Sequence, residues 1–319
     1  MSGESMEKRI NQAAVPTGAR EQRIDLYLSR RFTYLSRAAW RKEIEKGRVL
    51  LNGAPVSAPG KRVRGGDVIK YDGRDLVEPP VDGDISVLYE DEVLLAVNKP
   101  GNLPVHPAGR YFNHTLQRLL EFRRGSPVFP VHRLDRETSG VILLAKRADI
   151  AAAVQRRFSL VCKSYIALVH GDPGVEPLVI DTPLGFDTEG MLKKRRVAAE
   201  DVPEQALTTV KKIFSFGDYS LVKAWPRTGR LHQIRAHLRH AGYPIVGDKM
   251  YGRDESLYLR FIKEGYSDEL ARALELPRSA LHARSLRFPH PVENKTLLVK
   301  APVPADFREF IRMRGGARG

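Results

Sequence analysis

Apolar residues along this chain recur in two rhythms, and the change from one to the other divides it. In RIDLYLSRRF, Ile24, Tyr27 and Leu28 fall at helical spacing. Ser36 then stands as an N-cap for SRAAWRKEIEKG, with Trp40 and Ile44 on the inward face and Gly47 as the stop. RVLLNG and APVSAP read as short extended runs around an Asn-Gly turn, followed by the strand DVIKYD. Further along, VLYEDEVLLAVNKP, VILLAK, SYIALV, SLVKAW and TLLVKA read as strands, while TLQRLLEFRR, IAAAVQRRF and LHQIRAHLRHA carry helical patterns. That mixture predicts an α+β domain on an antiparallel or mixed sheet.

The same pattern sets the expected boundaries. Residues 1–20 are polar and broken by Val-Pro-Thr-Gly, a flexible tail. Residues 21–72 form a small module, and 73–84, stiffened by Pro79–Pro80, a linker. Residues 85–308 make the main domain, and 309–319, with RMRGGARG, a mobile basic tail. No internal repeat is visible.

With 319 residues the chain has length enough for a large core and a small second one. Lys and Arg number 53 against 38 Asp and Glu, a net charge of +15. A surplus of that size points to a polyanionic partner, without separating RNA from DNA or an anionic membrane, or from a merely solubilising surface. The single cysteine, Cys162, lies in the apolar segment LVCKSYIALV and is expected in a buried strand position. No apolar run approaches a membrane span, the N-terminus has no signal-peptide core, and Glu4 and Glu7 do not suit a mitochondrial presequence. The expectation is a soluble, cytoplasmic protein.

Several chemistries drop out at the level of motifs. There is no phosphate-binding P-loop and no Gly-x-Gly-x-x-Gly fingerprint. One cysteine rules out the His/Cys/Cys zinc site of base deaminases. His237 and His240 stand three apart on an expected helix, but His232 points elsewhere and no acidic third ligand is evident, so no metal is expected. What stands out is HRLDRETSG, residues 132–140. Asp135 lies there between two arginines, just before a turn that feeds the strand VILLAK. Flanking guanidinium groups keep such a carboxylate ionised and nucleophilic. An isolated Asp would more often cap the turn or close a surface ion pair.

The whole string resembles the catalytic motif of the RluA/RluD-type pseudouridine synthases, whose essential aspartate falls at Asp135. VNKPGNLPVHPAGRY (97–111) is similar to that family's first block, KSYIALV (163–169) to the segment that carries its active-site tyrosine, here Tyr165, and GRLHQIRAHL (229–238) to the block whose arginine, here Arg235, pairs with the catalytic carboxylate. PIVGDKMYG and LHARSLRFPHP resemble two later blocks and are read as scaffold. Leu231 replaces a frequent Thr, and Val292–Glu293 a usual Thr-Gly, neither at a proposed catalytic group. Ahead of these, the order helix, helix, NG hairpin and GDVI strand resembles the small RNA-binding module first seen in ribosomal protein S-four. By position its RNA contacts are Arg37, Arg41, Lys42, Arg48, Lys61 and Arg62. The resemblance covers roughly residues 20–308.

It implies a pseudouridine synthase catalytic domain preceded by a small α/β RNA-binding module, isomerising uridine in structured RNA without a cofactor. Asp135 either attacks the anomeric carbon or helps expel uracil to leave a glycal. Arg235 holds Asp135 ionised and aimed, through one or two hydrogen bonds. Tyr165 stacks on the uracil and assists proton transfer. Base flipping is implied, with Arg133 either filling the vacated space or closing an ion pair. Large-subunit ribosomal RNA is the commonest substrate of such proteins, and HPAGRYFNHTLQRLL also resembles members that modify transfer RNA. A monomer is expected. The rival is a non-catalytic RNA-binding or ribosome-assembly factor on the same fold, which has no need of Asp135, Tyr165 and Arg235 together. A two-metal nuclease lacks the carboxylate cluster it requires.

Overall fold

The computed structural model of this chain describes residues 11–32, 35–73, 78–108, 111–187, 196–199 and 202–315. The chain divides into two units, 1–81 with 106–126, and 82–105 with 127–319.

The first unit runs β1 (Asn11–Ala14), α1 (Ile24–Arg31), α2 (Arg37–Glu45), β2 (Val49–Leu51), β3 (Ala54–Val56), β4 (Val68–Tyr71) and, from the later segment, α3 (Leu116–Arg124). Its antiparallel sheet has the order β1-β4-β2-β3. Ser36 Oγ accepts the Ala39 N–H at 3.2 Å and so starts α2. Asn52 and Gly53, at φ 53° and 88°, make the hairpin between β2 and β3, where both central residues need positive φ. Ile24, Leu28, Trp40, Ile44 and Val49 are fully buried and form the core.

Two expectations fail here. The stretch expected as a tail holds a strand, since Asn11–Ala14 pairs with Val68–Tyr71 and Val15 is buried. Pairing the open N–H and C=O groups of β4 orders a segment whose own side chains carry little strand signal. Residues 1–10 lie outside the described residues. The expected linker is also fastened, because Glu78 accepts the backbone N–H groups of Phe112, Asn113 and His114 at 2.7–2.9 Å.

The second unit contains β5 (Ser86–Glu90), β6 (Leu94–Lys99), β7 (Ser139–Ala145), α4 (Ala148–Arg156), β8 (Cys162–His170), β9 (Leu178–Asp181), β10 (Leu207–Phe216), β11 (Tyr219–Pro226), α5 (Gln233–His240), α6 (Ser256–Glu264), α7 (Asp268–Leu274), β12 (Leu281–Pro289), β13 (Thr296–Lys300) and α8 (Ala305–Gly315). Its main sheet follows β9-β10-β11-β8-β12-β7-β6-β5, with β13 beside β12. These pairs are antiparallel except β7 with β12, so the sheet is mixed. Gly140 sits in the parallel pair at φ 110°, where a Cβ would lie 2.2 Å from the Ala283 carbonyl oxygen. Only glycine allows that approach.

Three further readings change. Residues 309–315 belong to α8, whose Phe307 and Phe310 are buried, so the basic end is a docked helix at least to Gly315, while 316–319 lie outside the described residues. Phe310 meets Phe216 and Tyr219 edge-on. Cys162 opens β8 but is exposed, because the buried run of that strand begins two residues later. The α6–α7 hairpin, with its own cluster of Leu257, Leu270 and Leu274, is an element the apolar pattern did not single out. Among the described residues no helix is long and apolar enough to cross a membrane.

Candidate active site

A cleft of about 530 Å³ opens in the second unit, lined by Arg133, Asp135, Tyr165, His232 and Arg235 among others. Asp135 lies in the loop that leads into β7, and its carbonyl accepts the Thr138 N–H at 3.2 Å to close the turn. That loop is pinned from both sides. Lys99, fully buried at the end of β6, donates to the carbonyls of Pro100, Leu103 and Arg136 at 2.8–3.1 Å. Glu137 accepts from Lys249 at 2.9 Å and from the Ser279 N–H at 3.0 Å. The residues on either side of the Asp135 turn are thereby tied to β6 and to the segments around Asp248 and Ser279.

Arg235, on the first turns of α5, donates through Nη1 to Asp135 Oδ2 at 2.8 Å. Its Nε and Nη2 grip Asp248 at 2.6 and 2.9 Å. Asp248 also accepts from the N–H groups of Met250 and Tyr251 and from Ser279 Oγ, so it cannot turn away. The two-pronged contact is thus with Asp248, and Asp135 receives a single hydrogen bond. The guanidinium further lies 4.8 Å from the Tyr251 ring centre.

Burial of Asp135 opposes its ionisation most strongly, yet the charges of Arg235, His232 and Arg133 outweigh it, and the carboxyl stays below its ordinary value. His232 is itself pushed down to about 4, by burial first. Above that pH it carries no charge, which leaves Arg235 as the main support. His232 Nδ1 lies 2.9 Å from the Tyr251 hydroxyl, and that oxygen accepts the Arg196 N–H at 2.7 Å. The other ring nitrogen, Nε2, lies 3.9 Å from Asp135 Oδ1. One oxygen of Asp135 is held by Arg235, and the other lies near the imidazole of His232.

Tyr165 comes from β8, buried between Ala224 and Ala283 on the neighbouring strands. Burial first, then the charge of Asp135, raises its phenol well above the usual range, so it stays protonated. Arg133 is exposed at the cleft, and its side chain forms no hydrogen bond or ion pair among the described residues. The chain therefore brings Arg133 and Asp135, Tyr165, and Arg235 to one cleft from three separate stretches of sequence.

A profile of the RNA pseudouridylate synthase family matches residues 93–240, and one of the S4 domain matches residues 22–69. The ribosomal large subunit pseudouridine synthase D of Xanthomonas campestris is 33% identical over 97% of this chain and 94% of its own length. An RNA pseudouridine synthase of Chloroflexus aurantiacus is 36% identical over 98% of this chain and 97% of its own. The solved structure of human RNA Pseudouridylate Synthase Domain Containing 4 superposes with a TM-score of 0.53, at 28% identity, over 71% of this chain and 91% of that one. This chain is an RNA pseudouridine synthase.

A pseudouridine synthase breaks the bond from C1′ to N1 of uracil and rebuilds it from C1′ to C5, so the C5 proton leaves and N1 gains one. Nothing is oxidised and no group is lost. This pseudouridine synthase carries an S4 module in its first unit, and there the candidate contacts separate. Arg41, Lys42, Lys61 and Arg62 are exposed. Arg37 instead binds the buried carboxylate of Asp25 at 3.1 Å, alongside Arg23. Arg48 binds Glu43 at 3.1 Å, and Tyr71 donates to the same carboxylate.

Sequence reasoning missed Asp248, Tyr251, His232 and Lys99. Asp248 stood in a block read as scaffold, yet an acid amid PIVG–KMYG must find a cation if it folds inward, and that was the available signal. Of the histidine pair considered for a metal, His237 does other work. His237 Nδ1 meets Thr208 Oγ1 and its Nε2 meets the Thr182 carbonyl, both at 2.9 Å, which leaves neither nitrogen for a ligand. Asp91, His290 and Glu293 also lie close together, but His290 Nδ1 accepts the Glu293 N–H and Nε2 lies 3.0 Å from Asp91, a hydrogen-bonded arrangement.

Proposed function

We propose that this enzyme isomerises uridine in ribosomal RNA of the large subunit, with Asp135 as the group that acts on the sugar. The observation that carries the reading is the 2.8 Å contact between Arg235 and Asp135 within a cleft that Tyr165 also lines. The name of the Xanthomonas campestris relative supports the substrate class. Asp135 attacks the anomeric carbon or promotes loss of uracil to a glycal, and Arg235 keeps it ionised through either route. The protonated phenol of Tyr165 stacks on the freed base and passes a proton to or from it. Arg133, unpaired at the mouth, fills the space the flipped uridine leaves. Arg41, Lys42, Lys61 and Arg62 track the phosphates. Within this reading the enzyme works as a cytoplasmic monomer.

Tritium release from RNA labelled at C5 of uridine tests it, with large-subunit ribosomal RNA and transfer RNA as parallel substrates. Release from ribosomal RNA by the wild type and none by Asp135→Asn is expected. Release from transfer RNA alone overturns the substrate, and undiminished release by Asp135→Asn overturns the role of Asp135.

A further inference from the structure

The cleft extends past the residues that would act on uridine, and its other wall has a composition of its own. Phe158, on the short 3-10 turn Phe158–Leu160 that precedes β8, lines it together with His132, Gln155 and Lys163. The rings of His132 and Phe158 lie 5.2 Å apart at 31°, a tilted stack that leaves Phe158 part-exposed to the cleft. His132 is fixed, since its Nε2 accepts the Leu143 N–H at 3.0 Å. Burial, then the charge of Lys163, pushes its pKa down to about 4, so it presents an uncharged ring. Lys163 Nζ sits over the Phe158 ring, 5.5 Å from its centre, in a cation–π contact that draws it to the rim of the ring, and it donates to the Thr228 carbonyl at 3.0 Å. That uses one of its three protons, and no carboxylate pairs with it among the described residues.

A half-buried ammonium without a counter-ion is costly unless an anion arrives. A flat aromatic face beside such a cation is the pairing that takes a base and its phosphate. Spacing adds to this. Lys163 and Tyr165, two residues apart on β8 across a shift of register against β12, both line the cleft, about 7 Å apart along the strand and close to the reach of one nucleotide.

We propose that Phe158, backed by His132, and Lys163 form a subsite for the nucleotide next to the target uridine, the base lying on Phe158 and the phosphate on Lys163. Tyr165 takes the flipped uracil, and its neighbour in the strand is held one step away, so the subsite contributes to choosing which uridine reacts. The inference rests on the substrate being RNA that enters this cleft.

The test uses full-length enzyme and an RNA hairpin containing a uridine that the wild type converts, with 2-aminopurine placed on its 5′ or 3′ side in two separate RNAs. If the wild type converts no uridine in any RNA, the functional reading falls and the subsite with it. If conversion occurs, stacking should quench 2-aminopurine at one of the two positions. Phe158→Leu, which keeps the apolar packing, should restore the fluorescence and raise KM roughly 10-fold with kcat unchanged. An abasic site at that neighbour should abolish the difference between wild type and Phe158→Leu. Lys163→Gln should lower the slope of log affinity against log salt by about one. Equal fluorescence and equal KM for wild type and Phe158→Leu at both positions would refute the subsite, even with the isomerase intact.

Discussion

Arg235 turns two nitrogens to Asp248 and gives Asp135 only one. The stronger contact holds the arginine, and the weaker one does the aiming. Asp248 is therefore a positioning residue, with no contact to substrate required of it.

Replacing it should show this division. Asp248→Asn leaves Arg235 buried and half-paired, so stability should fall by about 3 kcal/mol in denaturant unfolding. The remaining folded enzyme should lose kcat by roughly 10- to 100-fold while KM changes little. A rise in KM with kcat preserved would mean that Arg235 serves binding and not the reacting carboxylate.

Burial works against the ionisation of Asp135, and Arg235 is the main group that nonetheless holds its pKa low; the proposed chemistry needs that anion. Activity should therefore stay flat down to acidic pH in the wild type. In Arg235→Gln the acid limb of kcat should move to higher pH, because burial then acts with less opposition. His232→Asn should lower kcat about 10-fold without moving that limb, since His232 is uncharged above about pH 4. Tritium release measured from about pH 5 to 8 separates the two variants. A limb that moves equally in both would show that His232 carries charge.

Lys99 is pushed down to about 7, by burial first and then by the charge of Arg278, with Asp135 pulling the other way. Between that value and the ordinary lysine range, the unfolded chain holds a proton that the folded one has released. Stability from this group must then rise with pH across that window, and the strain is greatest below it. The wild type should gain stability between pH 7 and about 9.5 relative to Lys99→Met, measured by urea midpoints. At about pH 9.5, where that cost has gone, the variant should be less stable by about 2 kcal/mol, because carbonyls of Pro100, Leu103 and Arg136 lose their donor. A parallel pH dependence in both proteins would assign the change elsewhere.

The basic residues of the first unit should sort into two kinds. Arg41→Ala and Arg62→Ala should weaken RNA binding and each reduce the salt slope by about one, with melting unchanged. Arg37→Ala should lower the melting temperature, since it leaves the buried Asp25 with Arg23 alone. Binding titrations at several salt concentrations, beside thermal melts, distinguish them. An Arg37→Ala protein that melts normally yet loses a unit of salt slope would return Arg37 to the RNA contacts.

Features set within a few residues were legible from the sequence. The Ser36 cap, the inward Trp40 and Ile44, and the Asn52–Gly53 hairpin all follow from neighbours along the chain. Asp135, Tyr165 and Arg235 could be picked out because each lies in a long motif, and the structure sets them in one cleft. What could not be read depends on partners far away in the chain. Asp248 is defined by Arg235 on another element, and NQAA becomes a strand only against β4. Phe307 and Phe310 mark an amphipathic helix, yet the glycines and arginines around them read as a loose end. The exposure of Cys162 follows from where β8 begins, which composition does not give.

At Gly140 two main chains touch where any side chain would intrude. The loop holding Asp135 is thus seated by backbone against backbone, a fit that surface drift elsewhere cannot loosen and that no bulkier residue can restore. Anyone wishing to redirect this enzyme to a new uridine should leave the segment 135–140 untouched and redesign the rim of the cleft instead.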